Sequence, residues 1–333
     1  MSQLQDRIAG ALAGMVLGDA FGVPGELWPR AKVRERFGRI TEFLDGPADN
    51  IVACYFKAGH YTDDSAQAFV VLNAIEAAGT VPPVQTLAKD LIAWVESMNG
   101  FEINLLGPSS KASLLAWVKG EDALPVTKLS LTNGAAMRIA PVGCLIEAGE
   151  HEKIAEAAAR VSRVTHSTDV TIAGAAMVAQ AVAGRSWEQT LADVKTIFPI
   201  ASAKGEPTWA ASILARLEVF EELVLKRREA YDDEAVSRFI YDVIGTGTMT
   251  SESVTAALAL AFWAQNPKKA AEIAANMGGD TDTIGCMAAA ICGAHCGISG
   301  IAAETVEFLE KTNGLHFGEL AQGVMKTRAV FTL

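Results

Sequence analysis

The residues best suited to chemistry in this chain are two pairs of aspartates. Asp63 and Asp64 lie in Gly59-His60-Tyr61-Thr62-Asp63-Asp64-Ser65, and Asp280 and Asp282 lie in Met277-Gly278-Gly279-Asp280-Thr281-Asp282-Thr283-Ile284-Gly285. Each string stands directly before an apolar stretch with helical spacing. Helix capping explains part of both, because Thr, Asp and Ser cap helices well and acidic residues suit the first turn. Capping needs only one carboxylate of a pair, however, and carboxylates crowded near other carboxylates are costly without a cation between them. Gly278 and Gly279 free the backbone to turn tightly, and alternate positions in the following loop point the same way, so Asp280 and Asp282 can share a site. Carboxylate and hydroxyl oxygens fit hard cations such as Mg²⁺ or Mn²⁺ and fit zinc poorly. An EF-hand is excluded, because the remaining ligands and the terminal glutamate are missing. The chemistry such a site supports is hydrolysis by a metal-bound water.

Other segments carry weaker signals. Gly18-Asp19-Ala20-Phe21-Gly22-Val23-Pro24-Gly25-Glu26 offers Asp19 near a helix end and Glu26 in a Pro- and Gly-bounded loop. Ser130-Leu131-Thr132-Asn133-Gly134-Ala135-Ala136-Met137-Arg138 contains an Asn-Gly turn before a helix, whose exposed N–H groups suit phosphate. Gly107-Pro108-Ser109-Ser110-Lys111 is similar in character. Thr165-His166 supplies an isolated histidine. Cys286, Cys292 and Cys296 with His295 suggest a metal set, but their spread around a helix and apolar surroundings favour packing.

The elements that must position these groups read as helices. Leu4, Ile8, Leu12, Met15 and Val16 have helical spacing, and Gly10, Gly14 and Gly18 lie four apart on the same segment. Glycine costs a helix about 1 kcal/mol relative to alanine, so this ridge predicts close approach of another helix or a ligand. Helices are also expected over 65–79, 84–98, 109–119, 135–149, 152–162, 169–184, 187–198, 207–229, 233–244, 251–264, 267–277, 283–297 and 302–313. Ile51–Phe56 reads as a short, isolated strand-like run. Residues 283–303 are apolar with Gly285, Ala289, Gly293 and Gly297 at four-residue spacing, a pattern also found in membrane helix pairs. Their length is only about the spanning minimum, and His295 interrupts them, so a buried helix is the better reading. The polar stretch around Lys226–Glu234 reads as a solvated helix end and loop.

With 333 residues, 50% of them hydrophobic, the chain can bury a large core without staples. No composition shift divides it, so one compact all-α domain over residues 1–333 is expected. The formal net charge of -11 argues against nucleic acid as the main partner. Five cysteines without a framework spacing suggest free thiols in a reducing compartment. With no signal-peptide pattern, a cytoplasmic location and no membrane partner are expected. Oligomeric state is not legible.

In order, GALAGMVLGDAFGVPGE, YTDDS, NGAAMRIAP, TH and GGDTDTIG resemble the ADP-ribosylglycohydrolase family, which includes the dinitrogenase reductase-activating glycohydrolases, across nearly the whole chain. The pairing of TDDS with GGDTDTIG is the specific part. The resemblance implies an all-α multi-helix domain with two Mg²⁺ or Mn²⁺ ions in a cleft. Thr62, Asp63, Asp64 and Asp282 would bind one ion, and Asp280, Asp282 and Thr283 the other. The family's loop glutamate stands seven positions after the aspartate of a Gly-Asp pair, as Glu26 does after Asp19. Asp63, Asp280 and Glu26 are then the candidate catalytic bases. Ser130, Asn133, Gly134 and His166 match positions that contact ADP-ribose. The implied activity is hydrolysis of the glycosidic bond between ADP-ribose and an amino-acid side chain, arginine first, or a small-molecule acceptor. The alternatives are a hydrolase of a smaller N-ribosyl compound or nucleoside, and a catalytically silent ADP-ribose-binding protein. The expected partner is an ADP-ribosylated protein or a small ADP-ribosyl or N-ribosyl substrate. Leu131 and Thr132 depart from the family, where some relatives have an aromatic residue and a glycine, and Ser65 stands for the more usual threonine.

Overall fold

Four glycines on the first helix set the packing of the region that holds the aspartates. The computed structural model describes residues 1–333. Its regular elements are helical, and extended backbone pairs only in two isolated bridges, Trp28 with Gly279 and Thr168 with Glu206. The chain folds as two compact units, Met1–Ser65 with Ser212–Ala321 and Ala66–Ala211 with Gln322–Leu333.

In the first unit, α1 (Gln3–Gly22) leads through a short 3-10 turn to α2 (Arg30–Phe37). Helix α3 (Asp63–Ala78) starts in this unit and continues into the second. The second unit then holds α4 (Val84–Ser97), α5 (Pro108–Val118), α6 (Leu124–Thr127), α7 (Gly134–Met137), α8 (Ala140–Leu145), α9 (His151–Ser162), α10 (Asp169–Ala183) and α11 (Trp187–Ser202). The chain returns to the first unit with α12 (Ile213–Leu223), α13 (Asp233–Phe239), α14 (Thr250–Ala264), α15 (Pro267–Ala275), α16 (Thr281–Cys296) and α17 (Ala303–Asn313). Helix α18 (Phe317–Val330) closes the chain.

Helices α1 and α16 pack antiparallel with their backbones in contact. A Cβ at Gly10, Gly14 or Gly18 would overlap the carbonyl oxygen of Gly293, Ala289 or Gly285, and one at Gly22 would overlap the Asp282 backbone. The glycine ridge therefore receives a helix, and the apolar run read over 283–303 is a buried helix that ends at Cys296. Helix α1 is itself long and apolar enough to cross a membrane by length and composition, but that stretch is wholly buried here. In the second unit α10 is the central helix, buried along most of its length against α7, α8, α9 and α11.

Local chemistry corrects several expected boundaries. The helix read over 135–149 is two short pieces, because Pro141 has no N–H to continue the first and instead opens α8. The helix read over 207–229 begins only at Ile213, where the Ser212 hydroxyl caps the Ala215 N–H at 3.2 Å, and gives way to a 3-10 segment over Leu225–Ala230. The stretch over 233–244 ends in a π-helical turn, Ile240–Ile244. The strand-like run at Ile51–Phe56 is a 3-10 turn over Ala53–Tyr55, held by Asn50 Oδ1 accepting from Val52 N at 3.0 Å and Ala53 N at 3.1 Å. Helices α2 and α18 lie outside the expected set; α2 is strongly polar and weakly patterned, whereas α18 carries Phe317, Ala321 and Val324 at helical spacing, a signal the sequence does contain.

Substituting Gly18→Val should destabilise the protein by about 3 kcal/mol or more, because two helix backbones would have to separate. Gly318→Ala, whose added methyl meets nothing within 4 Å, should be neutral or slightly stabilising. Urea unfolding of both variants checks the pair, and equal stabilities would remove the close-packing account.

Candidate active site

The close approach of α1 and α16 brings the ends of two acid-bearing segments together. Asp19 sits in the last turn of α1 and is fully buried. Its carboxylate accepts from the Thr62 N–H at 2.9 Å, the Ser65 N–H at 3.0 Å and the Ser65 hydroxyl at 2.6 Å. Asp19 thus caps α3 from a distant part of the sequence, and Thr62 Oγ1 accepts from the Asp64 N–H at 3.3 Å. Local capping by Asp63 or Asp64 is not what begins this helix. The same holds for α16, where Asp280 occupies the N-cap position but its side chain makes no cap hydrogen bond.

The loop before α16 is fixed by glycine. Gly278 and Gly279 adopt φ of 83° and 86°, and a Cβ at Gly279 would overlap the Thr246 carbonyl. The Asp280 N–H donates to Thr246 O at 2.7 Å. Leu27 N–H donates to Gly279 O at 2.7 Å and Gly279 N–H to Trp28 O at 2.9 Å, which ties the Glu26 loop to the Gly-Gly-Asp loop. The Asn50 amide donates to the Glu26 carbonyl at 2.8 Å and is itself buried. The Thr281 hydroxyl donates to Gly22 O at 2.7 Å, closing α1 onto α16.

Asp19, Asp63, Asp280 and Asp282 therefore act on Glu26 and Asp64, and Asp19, Asp63 and Asp280 act on Asp282. Asp19, Thr62, Asp64, Asp280, Asp282 and Thr283 are buried, while Glu26 and Asp63 are half-buried. Burial pushes Asp19 up to about 6, against the three donors that stabilise its charge. Burial first, and then Asp282, Asp280, Asp63 and Asp19, hold Glu26 well above the usual carboxylate range. Asp64 is raised by burial and then by Asp282, Asp63, Asp19 and Asp280. Asp282 is raised by burial and then by Asp280, Asp19 and Asp63, while the Thr283 N–H lowers it. Asp64 Oδ2 and Asp282 Oδ1 are buried with no hydrogen-bond partner.

Such a set calls for positive charge, since a buried polar atom without a partner costs about 1–3 kcal/mol and more when charged. The donors are carboxylates with the hydroxyls of Thr62 and Thr283, the oxygen chemistry of Mg²⁺ or Mn²⁺. The soft donor nearby, Cys286, is held as a thiol by burial and by Asp64, Asp19 and Asp282. No three His, Cys, Asp or Glu side chains converge here as a finished coordination shell. The residues fit a hard cation on the two orphaned oxygens and on donor type.

In the second unit, the other expected residues also meet. Gly134 packs on the His166 ring, where a Cβ would lie 2.9 Å from Cε1. Asn133 is the N-cap residue of α7. Ser130 donates from Oγ to Val126 O at 3.2 Å, and its carbonyl accepts from Thr168 Oγ1 at 2.9 Å. His166 is buried, with its ring nitrogens against the hydroxyls of Thr165 and Thr132. Burial, helped by Arg138, holds its pKa well below the ordinary histidine value, so the ring is neutral. Gly107–Lys111 forms the N-terminus of α5, with Ser110 beside Gly134. Cys292 and Cys296 donate to backbone carbonyls and pack in the helix as expected.

Sequence reasoning gave Asp19 only as a cap or helix end, named Thr165 only as the neighbour of His166, and passed over Asn50. Their signals are partners tens of residues away, which no local pattern reveals.

The family model of ADP-ribosylglycohydrolase matches residues 1–330. The chain belongs to the ADP-ribosylglycohydrolase family. It is therefore a glycosidic-bond hydrolase. YegU of Escherichia coli, an uncharacterized protein, is 40% identical over 329 residues, covering 97% of each chain. An ADP-ribosylarginine hydrolase of Pseudomonas putida is 25% identical over 336 residues, covering 96% of this chain and 78% of the relative. A solved ADP-ribosylglycohydrolase-related protein complex shares the fold, with a TM-score of 0.71 at 19% identity and full coverage of both chains.

The raised carboxyls fix the sign of a pH effect. A folded-state pKa above the unfolded one adds stability below the unfolded value, near 3.8 for aspartate, which is lost as pH rises through the folded value, about 6 for Asp19. Chelator-treated protein should therefore melt at lower temperature at about pH 7.5 than at about pH 5. Added Mg²⁺ should raise the melting temperature more at the higher pH. Differential scanning calorimetry checks this, and an ion effect that is absent or larger in acid would contradict it.

Proposed function

We propose that this hydrolase cleaves the bond between the anomeric carbon of an ADP-ribosyl group and an arginine side chain, using two Mg²⁺ or Mn²⁺ ions. The observation that carries the reading is the buried carboxylate cluster with its two orphaned oxygens, Asp64 Oδ2 and Asp282 Oδ1. The resemblance to an ADP-ribosylarginine hydrolase supports the choice of acceptor. Thr62, Asp63, Asp64 and Asp282 would hold one ion, and Asp280, Asp282 and Thr283 the other. When bound, the ions supply Lewis-acid charge that lowers the pKa of a water and orients ribose hydroxyls.

The protein's own residues do the rest. A carboxylate of Glu26, Asp63 or Asp280 takes a proton from the attacking water as its oxygen bonds to the anomeric carbon. The bond to the guanidine nitrogen breaks, and that nitrogen takes up the proton the carboxylate received, so arginine leaves and the carboxylate is restored. Negative charge around the site stabilises the oxocarbenium-like transition state. Glu26 suits proton transfer because burial, and then its acidic neighbours, hold its pKa above the usual carboxylate range. Asn50 keeps the Glu26 loop in place through the Glu26 carbonyl. Ser130, Asn133, Gly134 and His166 are assigned to the ADP-ribosyl moiety, with His166 acting as a neutral hydrogen-bonding group and not as a charge.

Asp282→Asn should lower release of ADP-ribose from ADP-ribosylarginine by about a thousandfold or more and weaken Mn²⁺ binding with it. Glu26→Gln should lower kcat by about a hundredfold while Mn²⁺ binding persists. Chromatographic assay of ADP-ribose, run beside release of free ribose from a nucleoside, tests the reading. Undiminished turnover in Asp282→Asn, or preference for the nucleoside, would overturn it.

A further inference from the structure

A buried arginine in the first unit grips the loop that carries Asp280. Arg30 opens α2 and is 8% exposed, and a guanidinium is seldom buried unless its protons find acceptors. Its Nη1 lies 2.7 Å from Ser237 Oγ, 3.2 Å from the Met277 carbonyl oxygen and 3.3 Å from the Asn276 carbonyl oxygen. The two protons on Nη1 are shared across those three acceptors. Nη2 donates to Glu234 Oε1 at 3.0 Å. Asn276 is the C-cap residue of α15, so the guanidinium sits at the carbonyl end of that helix, where the macrodipole favours a cation.

These contacts bear on both sides of the acidic site. Met277 leads directly into Gly278-Gly279-Asp280. A Cβ at Gly278 would lie 2.5 Å from the Arg30 backbone nitrogen, so the Arg30 backbone presses on the loop while its side chain holds the carbonyls before it. The Asn276 side chain fixes the same stretch from beyond α2, with Nδ2 donating to Ile40 O and Oδ1 accepting from Ile40 N, both at 2.7 Å. Glu26 stands four residues before Arg30, on the segment whose Leu27 and Trp28 pair with Gly279. The ion pair with Glu234 is the lesser part of the network. Glu234 is 59% exposed on its side chain and shared with Arg34, so solvent screens it.

We propose that Arg30 is a positioning residue for the hydrolysis, whose guanidinium holds the Met277–Asp280 loop against the Glu26 segment and so fixes Asp280 and Glu26 in relation to each other. This rests on the assignment of Asp280 and Glu26 to the reaction. Misplacing a reacting group by about 1 Å costs on the order of a hundredfold in rate, so a loosened loop shows in kcat before it shows in substrate binding. A cavity of about 270 Å³, lined in part by Glu234, Ser237 and Asn276, opens beside the partners of Arg30. It gives a free guanidinium ion a route to the place of a deleted side chain.

Steady-state kinetics on ADP-ribosylarginine, Mn²⁺ titration calorimetry and melting temperatures of the full-length variants test the assignment. Arg30→Met should lose about thirtyfold in kcat with KM changed by less than about threefold, and should bind Mn²⁺ about tenfold more weakly. Arg30→Lys keeps the charge but cannot span the four acceptors, so it should recover only part of kcat. Arg34→Met removes the other cation on Glu234 and no loop contact, and should match wild type. Millimolar guanidinium chloride should raise kcat of Arg30→Ala and leave wild type unchanged. Wild-type kcat and Mn²⁺ affinity in Arg30→Met, an equal loss in Arg34→Met, or a folded Arg30→Ala that guanidinium does not revive overturns the assignment. If Arg30→Met and Arg30→Ala do not fold, Arg30→Lys decides, and wild-type kcat there overturns it. A wild-type protein that neither hydrolyses ADP-ribosylarginine nor binds Mn²⁺ overturns the proposed function and this assignment with it, whereas an unimpaired Arg30→Met beside an active wild type overturns only the assignment.

Discussion

Helices α1 and α16 meet along a line where Gly10, Gly14, Gly18 and Gly22 leave no side chain between the two backbones. The site in the first unit depends on that distance. It sets Gly22 against the Asp282 backbone, lets Thr281 bond the Gly22 carbonyl, and places Asp19 where its carboxylate can cap α3. One contact line thus locates three acid-bearing segments that are remote in sequence. The glycines weaken each helix by about 1 kcal/mol apiece relative to alanine, and the buried interface offsets that cost.

The same geometry creates an electrostatic problem. Burial and then neighbouring carboxylates raise Glu26, Asp64 and Asp282, and Asp64 and Asp282 each keep a buried oxygen without a partner. Helix capping, the ordinary reason for acids before a helix, is served by Asp19 and Thr62 at α3 and by no side chain at the N-cap of α16. A hard cation answers charge, burial and donor type together. In the second unit Arg138, Thr165, His166 and Thr132 are instead joined to one another by hydrogen bonds.

Much of this was legible in the sequence, because the strongest signals are local. Helical periodicity gave most elements, four-residue glycine spacing predicted a close neighbour, and oxygen-bearing residues flanked by glycines marked the acidic loops. Errors arose where a single residue overrides periodicity, as Pro141 does in dividing the helix read over 135–149, or where polar sequence still forms a helix, as in α2. Asp19 looked like a helix end because its partners, Thr62 and Ser65, lie more than forty residues away. His166 looked isolated because Thr132 meets its ring only on folding, and Arg138 reaches it only through Thr165.

The central claim is that the buried carboxylates hold protons until a divalent cation displaces them. Titration calorimetry of Mn²⁺ into chelator-treated protein at about pH 6, in two buffers of different ionisation enthalpy, counts the protons released. The account predicts saturable binding with net proton release that largely disappears in Asp64→Asn. Binding without proton release, or the same release in that variant, would contradict it.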